Sequence, residues 1–318
     1  MDAVEFENRN RRAQEAARVG LCHSREVGSR NGEFPFRGFI ACHAAPGQRS
    51  FMMFNNADDV VAAHYLHSGP ASFEPETLRL WVHLCRSAGW IYDVGAFTGV
   101  FSLAAATANP SCFVMAFEPS SVTYSRLLIN IAANDLAGQI APVRCGLGAE
   151  VGTLDLRHPS GVYVLSSNES FVSDRVTDPW FSEPVPVLTL DHLLANQESY
   201  KTELVLGMNF PTVDLVKIDV EGFELDVLAG MRGVFERDRP TMIVELFDLA
   251  EIGPIRRITG ADYRAFYVDQ LPFTPEGANV LFLHPDKLSQ LRDYQISPGL
   301  LFELTDAGAR IDAAKLTP

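Results

Sequence analysis

The chain has 318 residues, of which 47% are hydrophobic and 21% charged, a composition typical of a globular protein with a large core. Its net charge of −14 argues against a nucleic-acid-binding protein, because such proteins usually present a basic face. No apolar run reaches the roughly 18–20 residues of a membrane span, and residues 1–18 lack the apolar stretch of a signal peptide. The five cysteines are scattered without a Cys-x-x-Cys pair, which favours reduced thiols. We therefore expect a cytoplasmic protein that binds neither nucleic acid nor membrane.

The first quarter of the chain is predicted to form an arm and a cap ahead of the main domain. Residues 1–18 are typical of a polar helix or a frayed arm, and glycine and proline make the segment 19–60 irregular, with short strands expected at 38–42 and 50–54. Helical patterns follow at 57–67 and 75–88. We expect residues 1–74 to pack over a pocket or against the edge of a sheet.

From residue 91 onward strands and helices alternate, which predicts an α/β fold with a mostly parallel sheet. The predicted strands are 91–94, 112–117, 140–145, 213–220 and 241–246, and the predicted helices are 100–108, 121–134, 191–195 and 223–231. Short strands at 153–156, 162–165, 170–176 and 185–188 interrupt the alternation and predict an inserted hairpin layer over 150–190. A closing antiparallel hairpin is expected from 263–268 and 279–283. This organisation predicts a main domain over 75–286 and a tail over 287–318.

The segment 93–99 joins the first strand of this series to the helix at 100–108. Glycine lets the backbone turn sharply and lets a ligand approach it, and the helix N-terminus directs free N–H groups into the same crevice. Thr98 is the expected N-cap of that helix. The segment therefore predicts a nucleotide-binding turn, with contacts from Asp93, Gly95, Ala96, Phe97 and Gly99.

Glu118 ends the second predicted strand, 23 residues after Gly95, and is followed by Pro119. An acid at about this distance from the glycine turn accepts hydrogen bonds from ribose hydroxyls in doubly wound sheets. The turn has one early glycine fewer than the Gly-x-Gly-x-x-Gly pattern, which favours a nucleoside without phosphates, such as S-adenosylmethionine (SAM). A solvated acid at a strand end is the structural alternative. We predict Glu118 and Pro119 as cofactor contacts.

Three charged residues alternate along the strand predicted at 213–220. Lys217, Asp219 and Glu221 share one face, and Glu245 in the neighbouring strand is positioned to pair with the lysine. One interpretation is an ion-pair network that only stabilises the sheet. The other places Asp219 and Glu221 at the carboxyl end of the strand, where a carboxylate serves as a general base or helps to hold a divalent ion. No metal ligand set is predicted.

Several of these segments, in chain order, resemble the FkbM family of SAM-dependent methyltransferases. The most specific are Asp-Val-Gly-Ala at 93–96 and Lys-Ile-Asp-Val-Glu-Gly at 217–222. The resemblance also includes 117–119, Asn130, Asn134, 189–191, 239–240, 244–245, 262–263 and 281–284, and covers roughly residues 75–285. It implies a Rossmann-like class I methyltransferase fold, usually with O-methylation of a sugar or natural product. Asp93, Gly95 and Glu118 then become SAM contacts, with Asp219 and Glu221 as catalytic residues.

Other features leave alternatives open. The family usually has Asn after the Gly-Ala of the turn, where this chain has Phe97, which either weakens a hydrogen bond near the cofactor or stacks on a ligand. A histidine of the cap is a second candidate for the general base, although each is more readily explained as structural; the candidates are His23, His43, His64 and His67. The Cys-His pairs at 22–23 and 42–43 match no common zinc module.

Trp180 and Phe181 are predicted either to form an aromatic lip on the substrate pocket or to pack in the core.

The sequence thus predicts a SAM-dependent O-methyltransferase that acts on a small hydroxylated acceptor, a sugar or a natural-product intermediate. Methyl transfer requires mainly that the acceptor oxygen be aligned and its proton removed. One alternative is a fold recruited to a non-methylating biosynthetic step. The other is a non-catalytic partner subunit that docks through residues 1–60 and 287–318. Homo- or hetero-oligomers are compatible with either.

Overall fold

The computed structural model describes residues 3–69, 72–159, 165, 169–197, 211–260, 262–268, 277–294 and 302–308. The N-terminal part contains α1 (Ala3–Val19), a 3-10 turn (Ser24–Glu26), α2 (Val27–Glu33), β1 (Arg37–Cys42), β2 (Phe51–Asn56), α3 (Val60–Ser68) and α4 (Pro75–Cys85). Helix α2 lies where glycine predicted irregular chain, because Val27 and Asn31, four residues apart, bury one face of it. Within the ranges just given, no helix combines the length and apolar character needed to cross a bilayer.

Strands and helices alternate through the remainder of the chain. The strands are β3 (Trp90–Val94), β4 (Phe113–Phe117), β5 (Ile140–Val143), β6 (Gly146–Leu147), β7 (Gly152–Pro159), β8 (Pro179–Leu188), β9 (Leu215–Ile218), β10 (Thr241–Leu246), β11 (Arg264–Tyr267), β12 (Ala278–Leu283) and β13 (Phe302–Leu304). The helices are α5 (Val100–Ala108), α6 (Ser121–Ala133), α7 (Leu190–Ala195), α8 (Glu224–Ala229), α9 (Arg232–Asp238) and α10 (Ile252–Thr259), with 3-10 turns at Leu249–Glu251 and Pro285–Leu291.

The central sheet has eight strands in the order β13-β11-β12-β10-β9-β3-β4-β5. Strands β10, β9, β3, β4 and β5 run parallel to one another, whereas β12 is antiparallel to both β10 and β11. The α/β sheet with an antiparallel C-terminal edge is therefore as predicted. The later strand of the hairpin, β12, enters between β10 and β11, and β13 from the predicted tail adds a further strand.

Alternation along the strands divides the core between the two faces of the sheet. On β3, Ile91 belongs to the cluster that packs with α4, α5 and the cap, whereas Tyr92 belongs to the cluster that packs with α7 to α10. Burial on both faces explains the continuous apolar character of the parallel strands. The sheet is thus covered on both sides, and its carboxyl edge is where loops gather.

Two strand predictions were wrong in detail. Strand β9 ends at Ile218, so Asp219 and Glu221 lie in the following loop rather than in the strand. The segment 170–176 is a turn, in which the Val172 carbonyl accepts a hydrogen bond from the Arg175 amide, and it is not a strand. Of the strand expected at 162–165, only Leu165 lies inside the described residues, where it bridges Asp59. The inserted layer is a three-stranded sheet in the order β6-β8-β7.

Asparagine side chains at the C-terminal end of α6, one within the helix and one at its C-cap, attach the β1–β2 hairpin to this helix. Asn134 accepts a hydrogen bond from the Met52 amide and donates one to the Met52 carbonyl, both at 2.7 Å. One helical turn earlier, Asn130 accepts a hydrogen bond from the Phe54 amide at 2.7 Å. The outer edge of β2 thus bonds to side chains of a helix that lies about 80 residues further along the chain.

The opposite edge of the hairpin is held in the same manner from α1. Asn10 accepts a hydrogen bond from the Arg37 amide at 2.9 Å and donates one to the Arg37 carbonyl at 2.6 Å. The cap is therefore a packed extension of the sheet's α4–α5–α6 face rather than a loose arm.

Candidate active site

A cavity of about 410 Å³ opens at the carboxyl edge of the central sheet. This is where open α/β sheets bind their ligands. Its walls come from the turn after β3, the ends of β4, β9 and β10, the β6–β8–β7 layer, and the cap. Of the predicted site residues, the wall includes Gly95, Ala96, Phe97, Glu118, Pro119, Asp219 and Glu221.

The turn after β3 is built on positive φ angles, at Gly95 (81°), Phe97 (51°) and Gly99 (100°). A Cβ atom at Gly95 would lie 1.8 Å from the Asp219 carbonyl oxygen, so only glycine fits there. The amides of Gly95 and Ala96 both donate to the Phe117 carbonyl, at 3.0 and 2.8 Å. The turn is thereby drawn against the ends of both neighbouring strands.

The N-cap prediction for Thr98 was wrong. Gly99 is the N-cap of α5, in the left-handed conformation and without a side-chain cap. Thr98 is instead fully buried, with its hydroxyl beside the Asp59 carboxyl of the cap. A left-handed backbone at the helix start leaves Thr98 outside the N-cap geometry.

Glu118 holds the turn through its carboxylate. Its Oε2 accepts a hydrogen bond from the Phe97 amide at 2.9 Å, and its Oε1 accepts one from the Ser120 amide at 2.8 Å. Burial raises the pKa of Glu118 well above its ordinary value, and the negative charge of Glu169 raises it further. Each carboxylate oxygen retains a second lone pair, so the group is able to accept two more hydrogen bonds, as a ribose diol requires.

Phe97 keeps its hydrogen bond to Glu118 through the main chain. The donor is the backbone amide, so replacing an asparagine with phenylalanine at this position does not remove it. The ring is partly buried against the core and lines the cavity. The backbone bond of the turn to Glu118 is therefore independent of the side chain at position 97, and whether the missing asparagine side chain costs a bond near the cofactor stays a prediction.

Asp93 and Gly99, also predicted as cofactor contacts, lie behind the cavity wall. Asp93 is 1% exposed, and its Oδ2 accepts a hydrogen bond from the Ser102 hydroxyl at 2.6 Å. Burial raises its pKa to about 6. Gly99 faces Leu127, since a Cβ atom there would lie 2.6 Å from the leucine side chain. Asp93 and Gly99 thus support the turn from below.

A fully buried lysine lies beneath the opposite end of the cavity. The Lys217 ammonium donates to Asp219 at 2.9 Å and lies 5.0 Å from the centre of the Phe101 ring. Burial alone would lower the pKa of Lys217, but the carboxylates of Asp219, Glu74 and Glu245 outweigh it and raise that pKa. Sequence reasoning paired Lys217 with Glu245; the ammonium's hydrogen bond goes to Asp219.

Opposite pKa shifts separate the carboxyls around this lysine. Burial favours the neutral form of Asp219, but the charge of Lys217 outweighs it and lowers the Asp219 pKa. Burial raises the pKa of Glu221 to about 8, with a further contribution from the charge of Asp219. Burial and the Asp219 charge likewise raise the pKa of Glu245. The site therefore contains one acid whose pKa is lowered, Asp219, beside two acids whose pKa values are raised, Glu221 and Glu245.

Carboxylate oxygens of Asp219, Glu221 and Glu245 all lie within 4.8 Å of one another. Within the described part of the chain, this is the one grouping whose spacing would suit a divalent cation. Asp219 already forms an ion pair with the Lys217 ammonium. The arrangement equally suits the exchange of a proton between a carboxylate and an acceptor hydroxyl.

The inserted layer and the cap contribute wall residues that sequence reasoning missed. The Arg175 guanidinium carbon lies 3.4 Å from the centre of the Phe247 ring, and its Nη2 lies 3.7 Å from Glu221. The Ser170 hydroxyl donates to the Glu221 carbonyl at 2.7 Å. From the cap, Glu74 accepts a hydrogen bond from Asn279 at 2.9 Å. These residues come from segments distant in sequence and without regular pattern, so spacing offered no signal for them.

The histidine and aromatic-lip hypotheses are not supported by the geometry. Among the described residues that line the cavity, none is a histidine. His67 is fully buried, and burial lowers its pKa to about 4, whereas His64 packs against Phe73. Trp180 is 66% exposed and Phe181 stacks on His158 at 3.9 Å, both away from the cavity wall.

Comparison with known proteins adds an independent line of evidence. The profile of the family described as Methyltransferase FkbM domain matches residues 93–265, which is more than half of the chain. The chain belongs to the FkbM methyltransferase family. Its sheet is accordingly the Rossmann-like sheet of class I methyltransferases, mostly parallel with an antiparallel edge. The matched region begins near the end of β3 and ends in β11.

Several relatives are similar to this FkbM-family chain over about half of its length. Methyltransferase sdnD of Sordaria araneosa is 29% identical over 178 residues, covering 52% of this chain and 69% of the relative. The hexuronic acid methyltransferase AglP of Haloferax volcanii is 27% identical, covering 51% and 58%. The 31-O-demethyl-FK506 methyltransferase FkbM of Streptomyces tacrolimicus is 27% identical, covering 48% and 63%. The crystal structure of methyltransferase FkbM from Methylobacillus flagellatus KT superposes with a TM-score of 0.42 at 17% identity, covering 61% of this chain and 43% of that one.

Proposed function

We propose that this FkbM-family protein is a SAM-dependent O-methyltransferase that acts on a hydroxyl of a small molecule, a sugar or a natural-product intermediate. The observation that carries the proposal is one cavity with two chemically different ends. The glycine turn and Glu118 form one end, and the Lys217-supported carboxylates form the other. A cofactor that has a ribose at one end and a reacting centre at the other fits this division.

The residues present fit SAM on three counts. Glu118 is held by two amides and still has lone pairs for a diol. The turn after β3 lines the cavity with Gly95, Ala96 and Phe97. The far wall carries Asp219, whose pKa is lowered by Lys217 and whose negative charge favours a cationic sulfonium. When bound, SAM would supply an electrophilic methyl group: its carbon would bond to the acceptor oxygen as its bond to sulfur breaks, with S-adenosylhomocysteine as the leaving group.

The chain's own residues would then align the acceptor and remove its proton. We assign the general base to Glu221, which lines the cavity and has the raised pKa of about 8. Asp219 stays ionised beside Lys217 and is suited to orienting the acceptor hydroxyl or balancing the sulfonium charge. The uneven pKa values of neighbouring carboxyls give each a separate role.

The acceptor proposal follows from the charge of the wall. Glu74, Glu118, Glu169, Asp219, Glu221 and Glu245 face the cavity, with Arg175 as a cation among the described lining residues. The ionised Asp219 and the single arginine among the described lining residues disfavour a polyanion, and the carboxyl oxygens of the wall accept hydrogen bonds from hydroxyls. A small polyhydroxylated acceptor is therefore favoured over a nucleic acid or another polyanion.

Isothermal titration calorimetry with SAM and with S-adenosylhomocysteine tests the proposal, followed by mass spectrometry of a hydroxylated acceptor panel. We expect micromolar SAM binding and a methylated product. Glu118→Ala is expected to weaken SAM binding by roughly tenfold to 100-fold, since two hydrogen bonds from ribose hydroxyls contribute about 0.5–1.5 kcal/mol each. Glu118→Gln, which keeps one acceptor oxygen, is expected to weaken it less.

The control is Glu150→Ala, which removes an exposed carboxylate outside the cavity and should leave SAM affinity unchanged. Wild-type protein that binds no SAM would contradict the proposal and favour a non-catalytic partner subunit. SAM binding without any methylated product would favour a non-methylating biosynthetic step. Unchanged affinity in Glu118→Ala would refute the assignment of the ribose subsite.

A further inference from the structure

Asn130 joins the cap to the cofactor turn through a single fully buried side chain. Its Oδ1 accepts a hydrogen bond from the Phe54 amide of β2 at 2.7 Å. Its Nδ2 donates to the Thr98 carbonyl at 2.8 Å. One amide group therefore spans from the cap hairpin to the turn that faces the cavity.

The same turn residue also meets the cap through its side chain. The Thr98 hydroxyl lies beside Asp59, which is fully buried. Asp59 is the N-cap of α3, where its Oδ1 accepts a hydrogen bond from the Ala62 amide at 3.0 Å. Thr98 is thus linked to two elements of the cap. Its carbonyl is connected to β2 through Asn130, and its hydroxyl lies beside Asp59 at the start of α3.

The turn requires restraint because its backbone conformation is unusual. Phe97 has a positive φ of 51°, a conformation that side chains other than glycine seldom adopt, and glycines with positive φ lie on either side of it. Bonds to Phe117 and Glu118 fix the turn up to Phe97. The bond from Asn130 acts on Thr98, the next residue along the chain.

We propose that the N-terminal cap holds the turn in its cofactor-binding conformation through Asn130, a positioning residue for SAM. The inference rests on the proposed function, because it assumes that SAM is the ligand of the turn. Asn130 lies outside the cavity wall and acts through the Thr98 carbonyl. The cap is thereby part of the cofactor site, although its hairpin contributes no residue to the cavity wall.

Asn134 provides a matched control. It lies four residues later, at the C-cap of α6, and bonds the same strand through the amide and the carbonyl of Met52. Its other hydrogen bond goes to the Asn130 carbonyl and not to the turn. Replacing either asparagine removes hydrogen bonds between α6 and β2 and so weakens the packing of the cap. Only the replacement of Asn130 also removes the hydrogen bond to the Thr98 carbonyl.

The test compares Asn130→Ala with Asn134→Ala in the full chain, using melting temperature and SAM affinity by calorimetry. Both variants are expected to melt at a lower temperature than wild type. Asn130→Ala is expected to weaken SAM binding at least tenfold, and Asn134→Ala less than twofold. Equal loss of affinity in the two variants, or no loss in Asn130→Ala, would overturn the inference.

Amide hydrogen exchange of the ligand-free proteins separates this inference from the proposed function. Faster exchange of the Phe97 amide in Asn130→Ala, and not in Asn134→Ala, is expected even if wild-type protein binds no SAM. Failure of wild type to bind SAM would count against the proposed function, and unchanged exchange at Phe97 would count against the positioning role. If Asn130→Ala does not fold, Asn130→Ser repeats both measurements with a polar atom retained in the space.

Discussion

Glu221, the proposed general base, combines three features that support this proposal. Its φ is 55°, its carboxylate lies on the cavity wall, and burial raises its pKa to about 8. Strained, non-glycine backbone conformations persist where surrounding contacts enforce them, often at functional sites. Here the enforcing contacts include the Ser170 hydroxyl on the Glu221 carbonyl and Arg175 beside the carboxylate.

For Glu221 as general base, the rate should follow its ionisation. The carboxylate form increases as the pH rises through about 8, so kcat/KM is expected to rise through that range and then level. Glu221→Gln is expected to lower kcat by about 10²–10⁴ and to flatten this rise. Steady-state kinetics from pH 6 to pH 10 check both expectations. A rise through pH 8 that survives in Glu221→Gln would move the base to another residue.

At the residue scale, the sequence predicted the groups whose spacing repeats a known geometry. Glu118 was found because the strand and turn fix its distance from Gly95. Thr98 was misassigned, since the local pattern of an N-cap does not show that the next residue, Gly99, adopts a left-handed conformation. Arg175 had no signal, because its position depends on how the inserted layer folds over Phe247.

Strand β9 contains a charged residue, Lys217, at a fully buried position of the central sheet, where apolar residues are usual. Lys217 is fully buried between β3 and β10 and is neutralised by carboxylates beyond the strand end. Burying charges is unfavourable unless they are paired, so the lysine and its carboxylates depend on each other. The strand thereby carries the positive charge that keeps Asp219 ionised.

Lys217→Met is expected to destabilise the protein by about 3–5 kcal/mol, because it leaves buried carboxylates without a counter-charge. Equilibrium unfolding in urea measures this change. The double variant Lys217→Met/Asp219→Asn should recover part of the loss, since it also removes the unpaired charge. A double variant no more stable than Lys217→Met would show that the loss comes from packing instead.

At the element scale, strand and helix identities were predictable and their ends were less so. The continuous apolar run predicted a strand up to Val220, but β9 ends at Ile218, where the chain turns to form the loop that lines the cavity. Helix α2 was missed because its helical state depends on the burial of Val27 and Asn31 in the folded cap. Periodicity in the sequence does not contain these tertiary contacts.

The whole molecule buries several carboxyls whose pKa values are raised. Burial raises the pKa of Asp59 and Asp93 to about 6, of Glu224 to about 7 and of Glu221 to about 8. Their ordinary values lie near 4, so between pH 4 and pH 8 the folded protein binds more protons than the unfolded chain. The free energy of unfolding therefore falls as the pH rises through this interval.

The melting temperature of the ligand-free protein is accordingly expected to decrease from pH 5 to pH 8.5. Each group whose pKa is raised contributes about 1.4 kcal/mol for every pH unit between its unfolded and folded pKa. Glu221→Gln should reduce the slope, and the exposed control Glu150→Gln should not change it. Differential scanning fluorimetry across the pH range supplies the measurement. Stability that increases steadily from pH 5 to pH 8 would contradict the assignment of these shifts.

For the whole molecule, the sequence predicted the architecture of the sheet but not the way the cap is attached. Alternating strands and helices, with the closing hairpin, imply a parallel sheet with an antiparallel edge. The cap depends on bonds between residues 76 and 82 positions apart, made by the Asn130 and Asn134 side chains. Hydrogen bonds between residues so far apart produce no periodic pattern in a single sequence, so they could not be predicted from it.

The hairpin of β1 and β2 meets its neighbours through amide side chains rather than through further strands. An asparagine side chain carries the same donor and acceptor as a peptide group, so Asn134 and Asn10 act as substitute strand residues opposite Met52 and Arg37. An open strand edge is a template for pairing with another chain and leads to aggregation. At these positions two helices close the edges of a small sheet, which protects the cap from edge-to-edge self-association without the addition of a strand.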